Sequence, residues 1–220
     1  ANNVTTEGII QNEDVDYYVI EAKKGDRITA EVEGIRLGHT MFDPYVAIMN
    51  EARFELATSD DAALIWQDCV ASIIAPADGK YIIQIRESSY GGNGACHYRC
   101  HIGSFPRPLA IVPAGGKPGT KVAVKFLGDV SGEFRREFDL PGAGGPEYEI
   151  FPQDDKGIAP SGMQFRLTSH DNVVEVEPNS AVSVRNLTLA ETDTGWRISA
   201  FVCRPLGAVG AWPDRVVVER

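Results

Sequence analysis

The sequence predicts an all-β protein built as two consecutive antiparallel β-sandwiches. Three observations carry this. Short runs of β-branched and aromatic residues recur at intervals of roughly 8–12 residues, punctuated by Gly, Pro, Asn and Asp. Within a run such as Arg27-Ile28-Thr29-Ala30-Glu31-Val32-Glu33, apolar Ile28, Ala30 and Val32 alternate with polar Thr29, Glu31 and Glu33, the period of a half-buried strand. Phe105-Pro106-Arg107-Pro108 then interrupts the pattern with two prolines in three residues, which stiffens the chain and marks a boundary between two bodies.

Taken in order, Asp16–Ala22 and Arg27–Glu33 read as strands joined by the Lys23-Lys24-Gly25-Asp26 turn. Phe42–Met49 supplies another, with Pro44 held to its start because proline cannot donate to an interior ladder. Asn50–Arg53 turns the chain into Phe54–Ala57, and a looser acidic segment runs from Thr58 to Asp68. Ile73–Arg86 reads as an antiparallel hairpin about Pro76-Ala77-Asp78-Gly79, where Pro76 fixes its own φ and Gly79 can take the positive φ of a tight reversal. Ser88–Gly94 is a glycine-rich loop, and Cys96–Ile102 closes the first body. Beyond the boundary, Leu109–Pro113, Thr120–Phe126, Arg135–Leu140, Tyr148–Phe151 and Gln164–Thr168 are short candidate strands between Gly- and Pro-rich loops, the pattern of a small immunoglobulin-like sandwich. The expected divisions are 1–104, 105–172, and a tail, 173–220, that either pads a sandwich or opens a further copy.

Composition narrows the function. The chain has 220 residues, 43% of them hydrophobic, and no apolar run nears the roughly 20 residues of a membrane helix. No basic-then-apolar leader opens it, which fits a removed signal or an internal start. A formal net charge of −10 with no basic cluster argues against nucleic acid and anionic membrane surfaces as partners. No Gly-x-Ser-x-Gly elbow, His-Glu-x-x-His, Walker loop or dinucleotide fingerprint is present, so no catalytic residue is assigned.

Several motifs together resemble a known family. Asp14-Val15-Asp16-Tyr17-Tyr18, Ala22-Lys23-Lys24-Gly25-Asp26, Arg36-Leu37-Gly38, Asp43-Pro44, Ser59-Asp60-Asp61-Ala62 and Ala75-Pro76-Ala77-Asp78-Gly79-Lys80-Tyr81 resemble, in order, the bacterial pre-peptidase C-terminal domain across about Glu7 to Gly103. That resemblance implies a jelly-roll-like sandwich in a secreted, periplasmic or cell-surface protein, with a non-catalytic binding or spacing role beside the rest of a multidomain chain. Phe105–Gly119 and Pro160–Leu167 resemble the immunoglobulin-like segment that comes after this domain in large exported planctomycete-type proteins, and Glu175-Val176-Glu177-Pro178-Asn179 resembles the opening of another copy.

The residues themselves offer few sites. Asp60, Asp61 and Asp68, with Asp43 nearby, form the candidate calcium set, since Ca²⁺ takes hard oxygen ligands from flexible loops; the family's occasional calcium dependence points the same way. No other cofactor is expected. Tyr17, Tyr45, Trp66 and Tyr90 are candidates for a stacking surface, Trp66 and Tyr90 foremost, with a polysaccharide or an extracellular protein as the partner. Cys96-His97-Tyr98-Arg99-Cys100-His101 spaces its cysteines about 13 Å apart on a strand, too far for one haem edge, one metal ion or a mutual disulfide. Alternation instead turns Cys96, Tyr98, Cys100 and Ile102 inward and His97, Arg99 and His101 outward, leaving Cys69 as a cross-strand disulfide candidate for Cys96 or Cys100. The rival reading is a hydrolase with its site in a cleft between the two bodies.

Overall fold

The computed structural model describes residues 3–62, 65, 67–145, 147–170 and 172, with four short strands beyond them. By compactness the chain divides into Ala1–Thr168 and Ser169–Arg220. In the first unit eight strands form two four-stranded antiparallel sheets: β1 (Val4–Ile9), β2 (Val15–Ala22), β3 (Arg27–Glu33), β4 (Pro44–Asn50), β5 (Glu55–Ser59), β6 (Cys69–Ile74), β7 (Gly79–Glu87) and β8 (His97–Gly103). The order is β1-β8-β3-β6 in one sheet and β2-β7-β4-β5 in the other. Between them lies one apolar core, with Ile28, Val32, Cys69, Tyr98 and Cys100 from the first sheet meeting Val46, Ile48, Tyr81, Ile83 and Ile85 from the second. The all-β expectation holds: the single helical element among the described residues is a 3-10 turn, Ile35–Leu37.

The central hairpin is corrected. β6 and β7 do not pair; β6 is an edge of one sheet and β7 lies inside the other, so the Pro-Ala-Asp-Gly turn is an arch that carries the chain across the sandwich. It is tied to the neighbouring β2–β3 crossing: Gly25 N–H donates to Ala75 O at 2.8 Å, Ala75 N–H to Asp26 O at 2.8 Å, and Lys24 N–H to Asp78 Oδ1 at 2.7 Å. Gly79 takes a positive φ of 154° as it enters β7.

Alternation in β8 is as expected, with Tyr98, Cys100 and Ile102 inside and His97 exposed. The disulfide expectation is not met: Cys69, Cys96 and Cys100 are free, buried thiols. Cys69 and Cys100 both face Val32, one from each side of β3, so two strand spacings, about 9.5 Å, separate them, beyond disulfide reach. In β3 the half-buried expectation fails. Thr29 and Glu31, on its outer face, are each 0% exposed because residues 104–168 lie on that face of the sheet.

That second body has its own core of Ile111, Val124, Phe126, Ile150, Met163, Phe165 and Leu167. A three-stranded sheet orders β9 (Ala110–Val112) and β12 (Phe134–Asp139) on either side of β11 (Lys121–Leu127). Two-stranded pairings complete it: β10 (Gly115–Gly116) parallel to β17 (Arg166–Leu167), β13 (Glu149–Ile150) with β16 (Met163–Gln164), and β14 (Gln153–Asp154) with β15 (Gly157–Ile158). Gly116 allows this packing, since a Cβ there would sit 2.6 Å from Leu140. In Ser169–Arg220, β18 (Ser183–Arg185) pairs with β20 (Phe201–Cys203), and β19 (Arg197–Ile198) with β21 (Val218–Glu219). The rest of the expected 173–220 tail lies outside the described residues.

Candidate binding face

The two outer faces of the sandwich differ in kind. On the β3/β6 side, charged groups are sealed beneath the second body. Glu31 accepts from Arg36 at 3.1 Å and from the Ser161 hydroxyl, and Arg107 Nε lies 3.0 Å from Glu31 Oε2, close enough for an ion pair though outside hydrogen-bond alignment. Arg36 also donates to Ser161 Oγ at 2.6 Å and to Asp68. Arg27 reaches from β3 to Asp129 and Asp154 of the second body. Burial pushes the Arg107 guanidinium down from its ordinary range, against the pull of Glu31.

This seam is the nearest approach to a catalytic arrangement, a serine hydroxyl beside a carboxylate. Both Glu31 oxygens face guanidinium groups, however, and the Ser161 hydroxyl that donates to Glu31 itself accepts from Arg36, so serine and carboxylate are both held inside an ion-pair cluster. The cluster joins two anions, Glu31 and Asp68, to two cations, Arg36 and Arg107, and fastens the bodies together.

The outer face of β2-β7-β4-β5 is different: exposed apolar side chains stand at its two edges around a centre where Ala47, Met49 and Gln84 are buried. β2 is apolar on both sides, with Tyr18, Ile20 and Ala22 turned to the core and Tyr17 and Val19 turned out, 48% and 60% exposed. Register places Tyr17 beside Gln84 and Val19 beside Ile82 on β7, then Ala47 and Met49 on β4, and Phe54 and Leu56 flank the far edge, Phe54 at 70% exposure. Arginines lie over its rings. Arg53, at positive φ in the β4–β5 turn, reaches Tyr17 with its guanidinium 5.6 Å from the ring centre. Arg86 sits between Tyr45 and Tyr90, at 3.8 and 4.3 Å, and donates to the carbonyls of Glu87 and Ser88.

Of the sequence candidates, Tyr90 is half exposed at the end of this face, and Trp66 lies outside the described residues. The four aspartates fare unequally. Asp68 is buried, and its oxygens accept from the amides of Gly34, Ile35 and Arg36 and from the Arg36 side chain. Asp60 Oδ1 caps the Asp61 amide. Burial, and then the charges of Asp61, Glu87, Asp60 and Asp68, raise the Asp43 carboxyl above its ordinary range. Among the described residues, no three His, Cys, Asp or Glu side chains are grouped to hold a metal ion. Sequence reasoning missed Val19, Phe54, Leu56, Arg53 and Arg86. The signal was there in β2, whose two-sided apolar pattern asks for burial on both faces.

No protein-family model matches the chain, and no curated protein matches it. Among solved structures, the chain is similar to the Aeromonas hydrophila periplasmic inhibitor of g-type lysozyme, at 17% identity and a TM-score of 0.36, over 47% of this chain and 86% of that one.

Proposed function

We propose that the chain is a non-catalytic binding and spacing module of a larger exported bacterial protein, docking a neighbouring protein surface on the outer face of β2-β7-β4-β5. The observation that carries this is the set of exposed apolar side chains on this face, Tyr17, Val19, Phe54 and Leu56. Exposed large apolar side chains gathered on one face mark an interaction site, and tyrosine, phenylalanine and arginine are the side chains that anchor protein interfaces. Supporting the jelly-roll reading is the strand order, 1-8-3-6 over 2-7-4-5, that of two interlocked Greek keys. The pre-peptidase C-terminal resemblance of Glu7–Gly103, and the immunoglobulin-like reading of residues 105–172, agree with a spacer. The seam agrees with a spacing role, since its ion pairs tie the two bodies together.

A polysaccharide is the second reading, favoured by Tyr17, Tyr45 and Tyr90 on one side of the sandwich. Sugar rings stack on open aromatic faces, and here guanidinium groups already lie over all three rings, which favours protein over glycan. Hydroxyl-radical footprinting tests the proposal by comparing this chain alone with the full-length exported protein. Oxidation of Tyr17, Phe54 and Leu56 should fall in the longer protein and return with Val19→Asp. Equal oxidation in both would sink the docking face, and saturable binding on a glycan array would transfer it to carbohydrate.

A further inference from the structure

On the other sheet, at the β1 side, lies a cleft of about 410 Å³ lined by Glu7, Ile9, Leu37, His39, His97 and Arg99 among others. His97 opens β8 on the outer face, opposite Ile9, and His39 arrives from the 3-10 turn after Gly38, at φ 72°, reverses the chain. The two imidazole rings have centres 5.2 Å apart and planes tilted by 43°. Neither ring has a hydrogen-bond or ion-pair partner among the described residues, unlike His101, which is held by Thr5 Oγ1 and Glu33.

We infer that His39 and His97 form an open binding site for a transition-metal dication of the Zn²⁺ type. Zinc binds imidazole nitrogen at about 2.0–2.1 Å, so two imidazoles on one tetrahedral ion have ring centres about 5 Å apart. The observed ring-centre spacing of 5.2 Å matches that figure. Arg99, the one cation lining the cleft among the described residues, is held by Glu7 and Glu33, at 3.3 Å each. Glu7 lines the same cleft but is turned to Arg99, so water supplies the remaining positions. The chain gives two imidazole donors, fewer than the three of a catalytic zinc site or the four of a structural one, so the remaining positions stay open to water or a further ligand.

The test is calorimetric titration of the tag-free chain with Zn²⁺, with histidine ring resonances followed by NMR. One ion should bind per chain, the His39 and His97 rings should shift together, and His39→Ala and His97→Ala should each weaken binding by at least roughly tenfold. His101→Ala should bind as the parent chain does. No saturable binding, survival of binding in His39→Ala, or loss in a folded His101→Ala would each overturn the site. The NMR shifts in the unsubstituted chain decide the matter if a variant fails to fold.

Discussion

Single side chains show where this molecule holds charge against its own stability. Asp43 has one carboxylate oxygen buried without a hydrogen-bond partner, and burial with four neighbouring acidic groups raises its folded pKa above the ordinary 3.8. A carboxyl raised in the folded state binds its proton more tightly there than in the unfolded chain. Stability is therefore lost as pH rises from the unfolded value through the raised folded one, and the full cost is present at neutral pH. Asp43→Asn should raise the melting temperature at pH 7 by about 2–4 °C for each ~1 kcal/mol of relief, and the gain should vanish below the aspartate range. The same gain is expected in calcium-containing buffer, because Asp68 is committed to Arg36 and three amides. The cysteines make a second case. Burial pushes the Cys69 and Cys100 thiols up, so neither forms the reactive thiolate. A thiol reagent followed by peptide mapping should leave Cys69, Cys96 and Cys100 unlabelled in the native chain and label all three in denaturant; native labelling of Cys100 would contradict its 0% exposure.

Strands obeyed local pattern more faithfully than they revealed their partners. β8 turns Tyr98, Cys100 and Ile102 inward as its alternation requires, and Tyr98 then donates to Asp16 at 2.6 Å while Tyr18 donates to Tyr98, also at 2.6 Å. Tyr98→Phe should cost about 1–3 kcal/mol in denaturant unfolding, since it removes a buried donor from a carboxylate and an acceptor from a phenol. A change within error would show that both groups find water instead. What period two cannot encode is which strand lies alongside. Ile73–Arg86 satisfies every local rule for a hairpin, yet its halves belong to different sheets, because Ala75 pairs with the β2–β3 crossing and not with its own return strand. The same blindness hid the covered face of β3. Thr29, Glu31 and Glu33 read as solvent-facing from sequence because the body that buries the first two starts more than seventy residues later, as Phe105 O accepting from Thr29 shows. The binding face was half legible: Tyr17, Tyr45 and Tyr90 were readable as aromatics, while Arg86 became part of the face only when β7 was placed between β2 and β4.

At the scale of the whole first unit, the seam decides whether two bodies behave as one. Its charged groups are buried, and a buried charge left without its partner costs more than the intact pair contributes. Separating the bodies while each stays folded would expose Glu31, Arg27 and Asp129 to water and relieve that cost, so the ion pairs alone favour joined and parted states less unequally than their number suggests. The asymmetry appears when one partner is removed with the bodies still joined. Glu31→Gln removes the buried carboxylate beside the Arg107 guanidinium and leaves Arg36 with Asp68 alone, and should destabilise by about 3–5 kcal/mol. Glu31→Gln combined with Arg107→Met should recover much of that loss, because apolar packing replaces a desolvated pair. Native-state hydrogen exchange in rising denaturant separates the two ways of failing. In the parent chain the amides of Ala30 and Val32 in β3 and of Val124 and Phe126 in β11 should open in one step with a common slope. In Glu31→Gln the β11 set should open first, since that smaller core depends on the sandwich for its cover. If β3 and β11 already exchange independently in the parent chain, the seam is a contact between two self-sufficient domains, and the rigid coupling that a spacer requires is lost with it.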